Sequence, residues 1–173
     1  LFVDIDTAEK ILNQGGNVII PTETVYGLAG SIHHPEAIEA IYRLKKRPKE
    51  NPLIVHVSNM EQVKELILPP PKSFFDLTEA FWPGPLTLIV EGKENLNKSV
   101  TAGLSTIAIR MPKHPQTLEL IKRTGPLAAP SANLSGKPSG TRFIHLENDF
   151  GKSIPILEGD HPVCGVESTI LAW

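Results

Sequence analysis

Sixteen prolines among 173 residues limit what this chain can fold into more than any other feature. Proline fixes φ and removes a backbone donor, so it ends helices and strands and stiffens the turns between them. Apart from one run of three, the prolines stand singly between apolar runs and form no low-complexity tract. They cut the chain into many short elements. Only Pro69-Pro70-Pro71 resembles a linker, and it is too short to separate domains. One domain over residues 1–173 is expected, long enough to bury a sizeable core. The chain opens on Leu1 rather than Met and stops after a strand-like run at Leu171-Ala172-Trp173, so it reads as short of a longer protein's ends.

Asp6-Thr7-Ala8-Glu9 has capping-box spacing and predicts a short helix closed by Gly15-Gly16. Residues 17–20 read as a buried strand ended by Pro21. Pro35 suits the first turn of a second helix. In that helix Ala37, Ile38, Ile41, Tyr42 and Lys45 share i, i+4 faces, with the apolar members turned inward. Residues 53–57, 86–90, 106–110, 154–157 and 166–171 read as strands. Helices are predicted over 59–68, opened by a box at Ser58-Asn59-Met60-Glu61, over 74–82, and over 114–123. Interleaved helices and strands indicate an α/β domain around one twisted sheet. Some connections are too short for a helical crossover, so the sheet should be mixed.

The formal net charge of −2 gives no general attraction to nucleic acid or acidic membrane. A polyanion would need a local cluster of cations. One cysteine, Cys164, excludes an internal disulfide and a multi-cysteine zinc site, and suits a reducing, cytoplasmic setting. No apolar run approaches the ~20 residues that span a bilayer, and no signal-peptide pattern opens the chain.

Four polar segments adjoin strand ends, where open α/β sheets place ligands. In Pro21-Thr22-Glu23-Thr24-Val25-Tyr26-Gly27-Leu28, two hydroxyls flank a carboxylate and Gly27 allows a tight turn. Thr24 either holds a small polar ligand or belongs to a turn making local side-chain bonds. Lys45-Lys46-Arg47-Pro48-Lys49 packs four cations into five residues. Arginine offers a planar fork for phosphate oxygens and lysine a mobile point charge, yet the cluster also suits a solvated helix end. His56, in the strand that follows, falls on the face shared with Ile54, as a core residue or a substrate partner. Thr106, Ala108 and Arg110 share one face of their strand. A buried arginine requires an anion, either a protein carboxylate or a substrate carboxylate. The fourth segment, 130–141, offers hydroxyls, an amide and glycines to ligand oxygens, or is an ordinary Ser/Gly loop. Gly165-Val166-Glu167-Ser168-Thr169 adds hydroxyls at a later strand start.

The signatures of covalent catalysis are missing. There is no G-x-S-x-G elbow, no H-E-x-x-H, no kinase set, no G-x-G-x-x-G and no Walker loop. Cys164 has no evident activating base, and no second histidine stands at metal-ligand spacing from His56. Positioning and charge compensation are favoured over a protein nucleophile.

Six ordered blocks carry a resemblance: PTETVYGL at 21–28, KKRPKENPLIVHV at 45–57, FWPGPLTLIV at 81–90, TIAIRMPKHP at 106–115, APSANLSGKPSGT at 129–141 and VESTI at 166–170. Together they resemble the threonylcarbamoyl-AMP synthase family, whose catalytic unit is the YrdC-like domain. The resemblance implies a twisted mixed β-sheet flanked by helices, with an open concave cavity for ATP and L-threonine. It implies that Thr24, His56, Arg110, Ser131 and Ser168 face L-threonine, Arg110 pairing with its carboxylate. It implies that Arg47, Asn51, Thr106, Asn133 and Thr141 face ATP, with Lys45 and Arg47 as the catalytic cations. The expected reaction joins L-threonine, bicarbonate and ATP into threonylcarbamoyl-AMP and pyrophosphate. Mg²⁺ would arrive with ATP, without protein side chains as ligands. A downstream transferase would use the product to modify tRNA, and direct tRNA binding is not expected. The family usually continues past VESTI with an arginine-containing segment that touches ATP, and this sequence stops before it. The wording of NPLIVH is closer to the longer two-domain type. The competing reading is a double-stranded RNA-binding module built on the 45–49 cluster. A carbamoyl-phosphate adenylating domain is a further rival, without the zinc-finger and acylphosphatase modules that accompany it.

Overall fold

A computed structural model describes residues 1–173. Its strands are β1 (Phe2–Val3), β2 (Val18–Ile20), β3 (Gly27–Ser31), β4 (Ile54–His56), β5 (Leu86–Glu91), β6 (Thr106–Arg110), β7 (Leu127–Ala128), β8 (Ile156–Leu157) and β9 (Thr169–Ala172). Its helices are α1 (Ile5–Asn13), α2 (Pro35–Lys45), α3 (Met60–Leu66), α4 (Lys72–Phe81), α5 (Lys98–Thr101), α6 (Pro115–Thr124) and α7 (Phe143–Phe150). No helix is long and apolar enough to cross a membrane.

The strands form one nine-stranded mixed sheet in the order β1-β8-β2-β3-β7-β4-β6-β5-β9. Period-two alternation assigns the two faces. Ile19, Leu28, Val55, Leu88 and Ile109 point to one face and pack with Ile38 and Ile41 of α2, Val63 of α3 and Phe74 of α4. Val18, Ile20, Ala29 and Leu127 point to the other, where Ala8 and Leu12 of α1 and Leu120 and Ile121 of α6 cover them. On this second face the helices stop short of β4, β6 and β5. Ile54, Ala108, Thr106 and Ile89 are therefore only half-buried, and an open floor remains.

Several local expectations are corrected. The cap of α1 is Asp4, which accepts from the Thr7 amide at 2.8 Å, while Asp6 pairs with Arg123 at 2.8 Å. The cap of α3 is Asn59, accepting from the Gln62 amide at 2.9 Å, one residue later than the box at Ser58. Gly27 is not a turn residue: it lies in β3 opposite Ile20, and a Cβ there would stand 3.3 Å from that of Ala129. The strand expected over 166–171 begins at Thr169, leaving 166–168 in the segment before it. Strands β1, β3 and β7 and helices α5 and α7 were not anticipated.

Candidate functional site

Parallel pairing of β4 with β6 sets His56 opposite Arg110, with Ile54 opposite Ala108. All four lie on the open floor. Around this pair the loop after β2, the loop after β7 and the start of β9 converge. The resulting hollow is lined by all five residues assigned to the amino acid: Thr24, His56, Arg110, Ser131 and Ser168.

Arg110 is 4 % exposed, so its charge requires compensation. Its Nη2 donates to Glu23 Oε1 at 2.5 Å, Nη1 to the Thr24 hydroxyl at 3.0 Å, and Nε to the Gly84 carbonyl at 3.2 Å. Of the two anions the sequence allowed, the structure supplies the protein carboxylate, Glu23. Glu23 is itself fixed, because Oε2 accepts from the Lys113 amide at 2.9 Å. Thr24 is fixed as well, by the Thr22 hydroxyl at 2.9 Å, which also donates to the Val25 carbonyl. The amides of Cys164 and Gly165 donate to the Glu23 and Thr24 carbonyls, so the segment leading to β9 straps this loop from outside.

His56 is buried, and its Nδ1 has no hydrogen-bond partner. Burial first, and the neighbouring Arg110 second, pull its pKa down to about 3. The imidazole is neutral and lines the hollow as a neutral hydrogen-bonding group. Burial likewise pushes the Tyr26 phenol up to about 12, and its hydroxyl meets His161 Nδ1 at 2.7 Å.

The cations at 45–49 do not act alike. Lys45 is 1 % exposed, and its ammonium donates to the Ser131 and Asn133 carbonyls, each at 2.5 Å. The reading of this lysine as a mobile point charge is corrected: it clamps the base of the 131–141 loop. Burial, and then the charge of Arg47, bring its pKa down to about 8. Arg47 is oriented by its own turn, donating to the Asn51 carbonyl at 3.1 Å and the Pro52 carbonyl at 2.8 Å. Lys49 pairs with Glu39 on the surface.

The residues assigned to ATP lie outside this hollow. Arg47 and Asn51 share the turn after α2, and the Asn133 amide donates to the Leu134 and Lys137 carbonyls within its own loop. Thr106 shares the open floor but stands four residues from Arg110 along β6, about 13 Å at strand rise. Thr141 lines a separate hollow with Phe143 and His161.

Sequence reasoning passed over Glu23, Thr22 and Glu167. Glu23 was visible as the carboxylate between two hydroxyls, but nothing in the sequence tied it to Arg110. Glu167 lines the hollow and accepts from the Ser139 hydroxyl, and Ser168 meets Thr87 at 2.7 Å. No group of three or more His, Cys, Asp or Glu side chains could hold a metal ion.

The family model Sua5/YciO/YrdC, described as telomere recombination, matches residues 10–173. A threonylcarbamoyl-AMP synthase of Bacillus subtilis is 47% identical over 171 residues, covering 97% of this chain and 49% of its own length. One from Pyrococcus abyssi is 43% identical over 169 residues, covering 96% and 50%. The crystal structure of P. abyssi Sua5 complexed with L-threonine superposes with a TM-score of 0.95 at 39% identity, over 100% of this chain and 54% of that one. The chain thus spans about half the length of the curated relatives it matches. Six ordered sequence blocks, the mixed sheet and these matches agree: the chain belongs to the Sua5/YciO/YrdC family.

Proposed function

We propose that this chain is the catalytic unit of an L-threonylcarbamoyladenylate synthase, a nucleotidyltransferase of the cytoplasm acting before tRNA modification. The carrying observation is the convergence of Thr24, His56, Arg110, Ser131 and Ser168 on one hollow beside an open sheet floor. The names of the matching relatives, and the threonine complex of one of them, support the same reading.

In this reading L-threonine occupies the hollow. Arg110 keeps two N–H groups beyond those given to Glu23, Thr24 and Gly84, and these are free for the substrate carboxylate. ATP lies along the floor between Thr106 and the Arg47–Asn51 turn, with Asn133 and Thr141 at its edges. The threonine ammonium gives up a proton to solvent, and the free amine adds to carbon dioxide with loss of a second proton, or to bicarbonate with loss of water, giving a carbamate. A carbamate oxygen attacks the α-phosphorus in line and pyrophosphate leaves. Arg47 offsets charge on the triphosphate, and Lys45 adds its field from beneath the loop. Mg²⁺ would enter as a component of the nucleotide substrate and would supply positive charge against the triphosphate. No protein nucleophile is needed. Orientation of reactants is worth effective molarities of ~10⁵–10⁸ M. A transferase that accepts the adenylate and modifies tRNA is the consuming partner.

The test is pyrophosphate release from ATP, measured with L-threonine and bicarbonate each present or omitted. Release that requires both is expected. Release indifferent to threonine, or none at all alongside steeply salt-dependent binding of double-stranded RNA, overturns the reading.

A further inference from the structure

Four ionisable side chains line the amino-acid hollow: Tyr26, His56, Arg110 and Glu167. Tyr26 and His56 are neutral, and Arg110 is balanced by Glu23. Glu167 is the remaining charge; it stands exposed at the rim of the hollow and forms no ion pair. The Ser139 hydroxyl engages only Oε1, so Oε2 is free. Lys45 and Arg47 are close enough to feel this carboxylate, but neither pairs with it: Lys45 donates to loop carbonyls and Arg47 to its own turn.

A zwitterionic ligand brings an ammonium as well as a carboxylate. Taking an ammonium out of water without an anion or good acceptors is strongly unfavourable, and a charge-assisted bond to a carboxylate offsets that cost. We infer that Glu167 receives the α-ammonium of the substrate, so that the hollow selects an α-amino acid over the corresponding α-hydroxy acid. This rests on the reading that the hollow takes an amino acid, and it adds the group that recognises the amine. It also fixes an orientation. Glu167 lines the hollow, and its charge is also felt by Lys45 and Arg47, so an amine held there faces the cations assigned to the nucleotide.

The test uses the full-length chain without ATP. Binding of L-threonine and of its α-hydroxy analogue, with hydroxyl in place of ammonium, is measured calorimetrically for wild type, Glu167→Gln and Ser139→Ala. Glu167→Gln keeps an oxygen for Ser139 and removes only the charge. It is expected to weaken threonine binding by roughly two- to fivefold, as suits a pair at a solvent-exposed rim, and to erase the preference over the analogue. Ser139→Ala retains the charge and should retain the preference. Unchanged threonine affinity in Glu167→Gln, or loss of preference in Ser139→Ala alone, overturns the inference. A wild-type chain that binds threonine yet releases no pyrophosphate would sink the proposed reaction and leave this inference standing.

Discussion

His56 faces Arg110 across the β4–β6 ladder, one neutral ring beside one buried cation. The cation and the burial act in the same direction, disfavouring a second positive charge. The folded pKa, near 3, lies below the ordinary value of 6.5. Between those limits the unfolded chain binds a proton that the folded chain refuses. Stability conferred by the neutral ring is complete above pH 6.5 and is lost as pH falls towards 3, by at most about 1.4 kcal/mol per pH unit. Among the six histidines, the His56 ring signals should stay flat in an NMR titration from pH 8 to 5. A midpoint near 6.5 would contradict the placement.

Glu23 holds the charge balance of the site. Its removal strands a guanidinium whose side chain is 5% exposed. Breaking a buried pair from one side typically costs ~3–5 kcal/mol. Glu23 itself is 18% exposed, so the loss in Glu23→Ala should fall near ~3 kcal/mol in urea unfolding. Glu23→Gln keeps an acceptor for Arg110 and should lose less. Equal losses in the two variants would mean that packing, and not charge, is the contribution.

Much of this architecture could be read from the sequence, for reasons visible in particular residues. Strand β6 matched its expected bounds because Ile107 and Ile109 alternate with half-buried neighbours. Helix α2 matched because Pro35 and the Ala37, Ile38, Ile41, Tyr42 stripe agree. Strand β3 was missed because GLAGS has no β-branched or aromatic residue. Its five residues are buried only because β2 and β7 pair with them. The convergence of Thr24, His56, Arg110, Ser131 and Ser168 on one hollow was legible, since each sits beside a strand end. What balances Arg110 was not, because Glu23 lies 87 residues away. The sequence offered Lys45 as a phosphate-facing cation or a solvated helix end and not as a clamp, because its acceptors, the carbonyls of 131 and 133, are supplied by tertiary packing.

Lys45 should therefore behave as a structural clamp. Lys45→Met keeps the aliphatic stem and deletes the donors to Ser131 and Asn133. Two buried carbonyls lose a charged donor, a change of about 2–3 kcal/mol. The Ser135 amide, which donates to the Lys45 carbonyl, should exchange with solvent faster as the loop loosens. Protection at Ser135 equal to wild type would show that the ammonium does not hold the loop.

Arg47 and Arg110 should separate the two proposed substrates, because their surroundings commit them differently. Arg110 is locked to Glu23, Thr24 and Gly84 at the hollow, so it can serve only a ligand placed there. Arg47 is pinned by the Asn51 and Pro52 carbonyls through Nε and Nη2, which leaves Nη1 for an anion on the floor. Arg47→Ala is expected to weaken ATP binding about tenfold or more while threonine affinity stays within about twofold. Arg110→Ala should do the reverse, with a share of its effect arising from the Glu23 carboxylate left unpaired. The double variant Glu23→Gln/Arg110→Met removes both charges together, so it should recover stability relative to Arg110→Ala without recovering threonine binding. Titration calorimetry of both ligands against all three proteins measures this directly. Swapped effects would show that the amino acid and the nucleotide occupy the opposite ends of the site.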